Sequence, residues 1–166
     1  IKDIAENIIK DNKNINVESF KNCYEELKEL SLIASMTLIK DDLKKLGIEH
    51  DNFFSESELV KKDLVNITVR ELQNRNFVEE GYLDPPKGEI PKNWKKVKRL
   101  IFKSTKFGDD ADRALQKNDG TWTYFANDVA YHSDKISRKF DNLINILGAD
   151  HTGYIKRITA AVSALS

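Results

Sequence analysis

Cysteine, methionine, proline and one-sided charge are all scarce in this 166-residue chain, which holds one Cys, one Met, three Pro, and 27 basic residues against 27 acidic ones. The lone Cys23 excludes an intrachain disulfide and a cysteine-based zinc site, and it favours a reducing compartment, so a cytoplasmic protein is expected. No run of 18 apolar residues occurs, so no membrane partner is expected, and the opening IKDIAENIIK is amphipathic rather than charged and then apolar, unlike an export signal. Zero net charge argues against a broad electrostatic binder of nucleic acid. The phosphate-binding patterns GxGxxG and GxxxxGK[ST] are both missing.

What is present describes one folded domain or one and a half. Hydrophobic residues make up 40% of the chain, and a domain of roughly 150 residues buries about two thirds of its extended surface without needing a disulfide or a metal. The neutral total hides an asymmetry, with a net charge of −5 over residues 1–80 and +5 over 81–166. Between 87 and 106, Lys87, Lys92, Lys95, Lys96, Lys98, Arg99, Lys103 and Lys106 are accompanied only by Glu89. Such a stretch suits either a phosphate backbone or an ordinary solvated ribbon. The sequence starts at Ile1 and stops directly behind a helical pattern, and a piece of something longer is expected.

Apolar residues recur at three and four over 17–46, which predicts one or two long helices with a stripe facing a core, capped by Asn16 or Ser19 and stopped by Gly47. Residues 48–54 read as a short extended element and 58–77 as helix. The period then falls to two: 77–83 and 99–104 look like strands around the turn-rich 84–94, and Asn118, Asp119 and Gly120 signal a turn before a strand TWTYF. Helix returns over 126–140, with Asn127 or Asp128 near its start. The apolar run 143–147, closed by Gly148, reads as a buried parallel strand, and 153–165 as a last helix. The expected fold class is α/β, with a mainly helical region (1–76), a strand and turn-rich insertion (77–122) and a βαβ-type region (123–166).

Three clusters could carry chemistry: SESE at 55–58, TYFANDVAYH at 123–132 and GADHTGYIKR at 148–157. Tyr124 and Asp128, four apart, suit a cation, the carboxylate accepting from a guanidinium or ammonium beside an aromatic face. The plain alternative is that Asp128 caps a helix and Tyr124 packs. Asp150 and His151 follow the expected strand, where ligands of open sheets sit, and could bind polar groups or simply cap the next helix. Asp128, His132, Asp150 and His151 could together hold a metal, as in metal-dependent phosphohydrolases. GDDADR at 108–113 reads as a tight charged turn in which Arg113 pairs with Asp109.

In FKSTKFGDDADRALQKNDGTWTYFANDVAYHSDK, INILGADHTGYIKRITAAVSAL and HDNFFSESEL the chain closely resembles the arginyl-tRNA synthetases, class I aminoacyl-tRNA synthetases of bacterial type. The resemblance implies a partial Rossmann-type catalytic domain, in an enzyme that activates arginine with ATP and Mg2+ and esterifies the terminal adenosine of tRNA(Arg). By position it implies substrate contacts from Glu56, Tyr124, Asp128 and Asp150, with Gly148 and His151 near the adenylate. The His-x-Gly-His and Lys-Met-Ser-Lys-Ser signatures of that family are absent from this sequence. No catalytic residue, resident metal or firmly bound cofactor is therefore expected in it, and the piece alone should be inactive. Besides the phosphohydrolase, a non-catalytic RNA-binding module using the basic stretch is the other reading.

Overall fold

A computed structural model describes residues 1–13, 15, 19–85 and 95–166. Two compact units divide at Phe53 and Phe54. The proposed cap Asn16, and Lys87, Gly88, Glu89 and Lys92 of the turn-rich basic stretch, lie outside the described residues.

The first unit contains α1 (Lys2–Asp11) and α2 (Phe20–Lys45). The predicted long helix is thus a single one, and Gly47 stops it as expected. With Gly47 at a φ of 73°, its N–H reaches the carbonyl of Lys44 at 3.0 Å and the Ile48 N–H reaches that of Leu43 at 2.9 Å. These two bonds satisfy carbonyls that a helix end leaves open, and the left-handed residue is glycine because a Cβ would be strained there. The expected core-facing stripe is not covered within this unit: Cys23 is the only buried residue of α2 among those described, while Phe20, Tyr24, Ile33 and Leu38 are exposed. Residues 48–54 form no strand.

The second unit is mixed α/β, mostly helical, with a small antiparallel sheet. Its elements are α3 (Glu56–Lys61), α4 (Leu64–Asn74), β1 (Val78–Gly81), β2 (Arg99–Phe102), β3 (Arg113–Ala114), α5 (Tyr124–Ser137) and α6 (Ile155–Leu165). The helix expected over 58–77 is broken by Asp63, which takes a left-handed φ of 53° that aspartate tolerates better than most residues. The break resets the helical phase, so α4 buries Val65, Thr68, Val69 and Leu72 and leaves Ile67 exposed. Strands run in the order β1-β2-β3, with Val78 opposite Phe102 and Ile101 opposite Ala114. Ion pairs of Lys98 with Glu80 and of Lys103 with Glu79 tie two lysines of the basic stretch to β1. The core joins Leu72, Val78, Phe102, Leu115, Phe125, Val129 and the alanine face of α6, where Ala160, Ala161 and Ala164 are fully buried.

Two strand expectations are corrected. Asn118, Asp119 and Gly120 do turn the chain, with Gly120 at a φ of 82° and Asp119 accepting from the Thr121 N–H at 2.9 Å. Of TWTYF, however, only Trp122 bridges, to Gln116, and helix α5 starts at Tyr124. Thr123 decides this: its hydroxyl accepts the Ala126 N–H at 3.2 Å, filling an otherwise open donor of the first turn. Thr123→Ala should cost about 1 kcal/mol in urea unfolding, and Thr123→Ser much less; equal effects of the two would remove the capping role.

Nor do residues 143–147 form a parallel strand. Ile144 and Ile146 are 86% and 94% exposed, and the segment has no regular structure before the 3₁₀ turn Ala149–Tyr154. A strand buries its backbone polar groups only against neighbours, and the three strands of this unit pair only with one another among the described residues. The C-terminal third is therefore helix, irregular chain, 3₁₀ turn and helix, without a βαβ unit.

Candidate functional site

Helix α5 organises the candidate site. Starting it at Thr123 places Tyr124 in the first turn and Asp128 one turn later on the same side. Tyr124 is 80% exposed, which removes the packing alternative, and the Lys117 ammonium stands 5.8 Å from its ring centroid. Asp128 lies inside the helix while Thr123 holds the cap, which removes the capping alternative as well.

The Asp128 carboxylate is half-buried, and its Oδ2 accepts a hydrogen bond from the Tyr154 hydroxyl. Burial, reinforced by the neighbouring Asp128 charge, pushes the Tyr154 phenol well above its ordinary ionisation range, so it remains a proton donor. The Asp128 carbonyl stands 2.8 Å from Nδ1 of buried His132. On the neighbouring position of α5, Asn127 donates to Oε1 of Glu56 at 2.9 Å, and so the structure brings the first residue of α3 to the helix that carries Tyr124 and Asp128.

Tyr124 and Tyr154 also line a cleft of about 1040 Å³, shared with Arg99, Arg157, the loop 110–112 and Arg113 of β3. Asp109, which precedes these residues, is hydrogen-bonded to two of them. Its carboxylate accepts from Nε and Nη2 of Arg113, both at 2.8 Å, and from the Asp110 N–H at 2.7 Å. Burial raises the Asp109 carboxyl, but the guanidinium and the amide outweigh it and hold it down at about 2. The pairing follows the sequence expectation, although it spans an irregular loop and its acid is buried rather than on the surface.

Asp150 and His151 are not joined to this group. Both are exposed, and they approach each other at 3.5 Å. Asp150 does not cap α6, whose N-cap position is Tyr154 without a side-chain bond. Gly148 opens the 3₁₀ turn, and a Cβ there would meet Oδ1 of Asp150 at 2.5 Å. The set Asp128, His132, Asp150 and His151 is not assembled as metal ligands: among the described residues no three His, Cys, Asp or Glu side chains are so grouped. No helix among those residues is long and apolar enough to cross a membrane.

Sequence reasoning did not single out Tyr154 or Asn127 as partners of the site. Tyr154 is 26 residues from Asp128, and Asn127 is 71 from Glu56, so no local spacing marks either pair.

No family model matches the chain. An arginine–tRNA ligase of Pelagibacter ubique is 53% identical over 163 residues, covering 98% of this chain and 28% of that protein. The arginine–tRNA ligase of Ehrlichia chaffeensis is 56% identical over 140 residues, 84% of this chain and 24% of its own length. A crystal structure assigned to an arginyl-tRNA synthetase of Campylobacter jejuni superposes with a TM-score of 0.71 at 30% identity, over 98% of this chain and 32% of the other. The chain thus spans about a quarter to a third of the relatives it matches. Homology runs along nearly the whole length of this chain, which belongs to the arginine–tRNA ligase family as the counterpart of a portion of that enzyme.

Proposed function

We propose that these residues form the arginine-recognising portion of a longer, cytoplasmic arginine–tRNA ligase that activates arginine with ATP and transfers it to the 3′ end of tRNA(Arg). The observation that carries the reading is the pairing of an exposed Tyr124 with the half-buried carboxylate of Asp128 on one face of α5. An arginine side chain offers a planar fork of donors, which a carboxylate meets with two hydrogen bonds and an aromatic ring meets with its face. Glu56, brought to α5 by Asn127, is the second acid of the pocket. Asp150 is the outer polar contact, and Gly148 and His151 lie toward the adenylate.

The His-x-Gly-His and Lys-Met-Ser-Lys-Ser signatures that handle the phosphates in this family are absent from the sequence, so no step of ATP or Mg2+ chemistry is assigned to these residues, and we expect the 166 residues alone not to form arginyl-adenylate. In the longer enzyme, residues 143–147 would take their place as a strand of a Rossmann-type sheet, which explains why so apolar a run stands exposed here. Residues 77–122 would be an insertion between the helical region, residues 1–76, and the Rossmann region, residues 123–166. Lys95 and Lys96, with Lys98 beside them, would assist RNA approach.

Asp128→Asn in the full-length enzyme keeps the volume and removes the charge. A charge-assisted hydrogen bond is worth about 1.5 to 3 kcal/mol, so arginine-dependent pyrophosphate exchange should fall roughly 10 to 100-fold in kcat/KM. Tyr124→Phe should do less, because the ring remains. An unchanged kcat/KM for arginine in Asp128→Asn, with melting measured on the same samples, would overturn the guanidinium role.

A further inference from the structure

We infer that Tyr154 is a positioning residue for arginine recognition, its hydroxyl fixing the Asp128 carboxylate in the plane that a guanidinium then meets. This rests on the arginine reading of Asp128 given above.

Three observations carry it. The Tyr154 hydroxyl bonds to one oxygen only, Oδ2, and Oδ1 has no hydrogen-bond partner among the described residues. The carboxylate is thus anchored at one atom and open at the other. Second, the phenol is itself held. Its ring meets buried Phe125 edge-on at 6.3 Å and 86°, and the Arg157 guanidinium lies 5.7 Å from its centroid. Third, Tyr154 faces both ways, touching Asp128 and lining the same cleft as Tyr124.

The physical consequence follows from torsions. The terminal torsion of an aspartate is broad, so a half-buried carboxylate with no anchor samples many planes, and a fork of donors needs one of them. A hydrogen bond made before the substrate arrives removes that ordering cost from binding. Lysine presents a compact ammonium that is indifferent to the plane of its acceptor. Loss of the anchor should therefore weaken arginine more than lysine and narrow the discrimination between them.

Tyr154→Phe retains the ring and its packing on Phe125 while deleting the donor. In the full-length enzyme it should raise KM for arginine about tenfold, leave KM for ATP and kcat nearly unchanged, and lower the ratio of lysine to arginine inhibition constants. The same change made in an Asp128→Asn background should add less than about twofold, because the donor then has no charged acceptor to align. If Asp128→Asn is itself silent, the arginine reading fails and this inference fails with it. If Asp128→Asn acts and Tyr154→Phe is silent, only the inference fails. Equal losses from Tyr154→Phe in both backgrounds, or loss of folded enzyme, would make Tyr154 a packing residue and overturn the proposal.

Discussion

Arg113→Met is expected to destabilise the chain by about 3 to 5 kcal/mol at neutral pH, because it removes one member of a buried ion pair and leaves the other behind. The Asp109 side chain is completely buried and that of Arg113 is 20% exposed, and two N–H groups of the guanidinium reach the two carboxylate oxygens at 2.8 Å. Methionine fills a similar volume without offering a donor, so the carboxylate would lose both guanidinium bonds and keep the Asp110 amide.

The pH dependence gives the prediction its sign. The folded carboxyl is held at about 2, below its ordinary 3.8. Its contribution, about 2 kcal/mol from a shift of this size, is present above the unfolded value and is lost as pH falls through the folded one. In Arg113→Met, burial without the guanidinium raises the carboxyl, so the variant can relieve its unpaired charge by taking a proton. The stability gap between the two proteins, measured by urea unfolding, should be widest at pH 7 and narrow below about pH 5. A gap under about 1 kcal/mol, unchanged from pH 7 to 4, is the behaviour of a surface pair and would overturn this assignment.

Phe102→Ala should cost a comparable amount, about 3 to 5 kcal/mol, a large share of the 5 to 15 kcal/mol that holds an ordinary domain together. Phe102 is fully buried on β2, stacked on Phe107 at 5.9 Å and set against Phe125 at 6.1 Å. Truncation removes the transfer energy of the ring and leaves a cavity that two neighbouring aromatics cannot fill without leaving their own contacts. Phe102→Leu should lose less. Urea unfolding with an unchanged m-value is the measurement, and a loss below about 1.5 kcal/mol would mean that the site collapses readily. Phe102 is also the sheet partner of Arg113. The double variant should therefore depart from additivity, as contacting positions do.

Features confined to a few consecutive residues were legible in the sequence alone. Gly47 stops α2 because only a residue free of a Cβ enters the left-handed turn at no cost. Asn118, Asp119 and Gly120 turn the chain for the same local reasons, the two strands on either side of 84–94 follow from alternation, and Asp109 pairs with Arg113 as expected, though across an irregular loop and not a helical turn. Tyr124 and Asp128 are nominated by residue type and spacing, and Glu56 by the family resemblance. Tertiary structure decided the rest, because burial and pairing depend on which surfaces meet. TWTYF has strand composition, yet Thr123 converts it to a helix start. Residues 143–147 have the pattern of a buried strand, yet a strand exists only beside another, and among the described residues none stands beside it. Asn127 reaches Glu56, and Tyr154 reaches Asp128, across 71 and 26 residues. Contacts at that separation depend on how α3, α5 and the turn before α6 pack together, and no spacing along the chain encodes them.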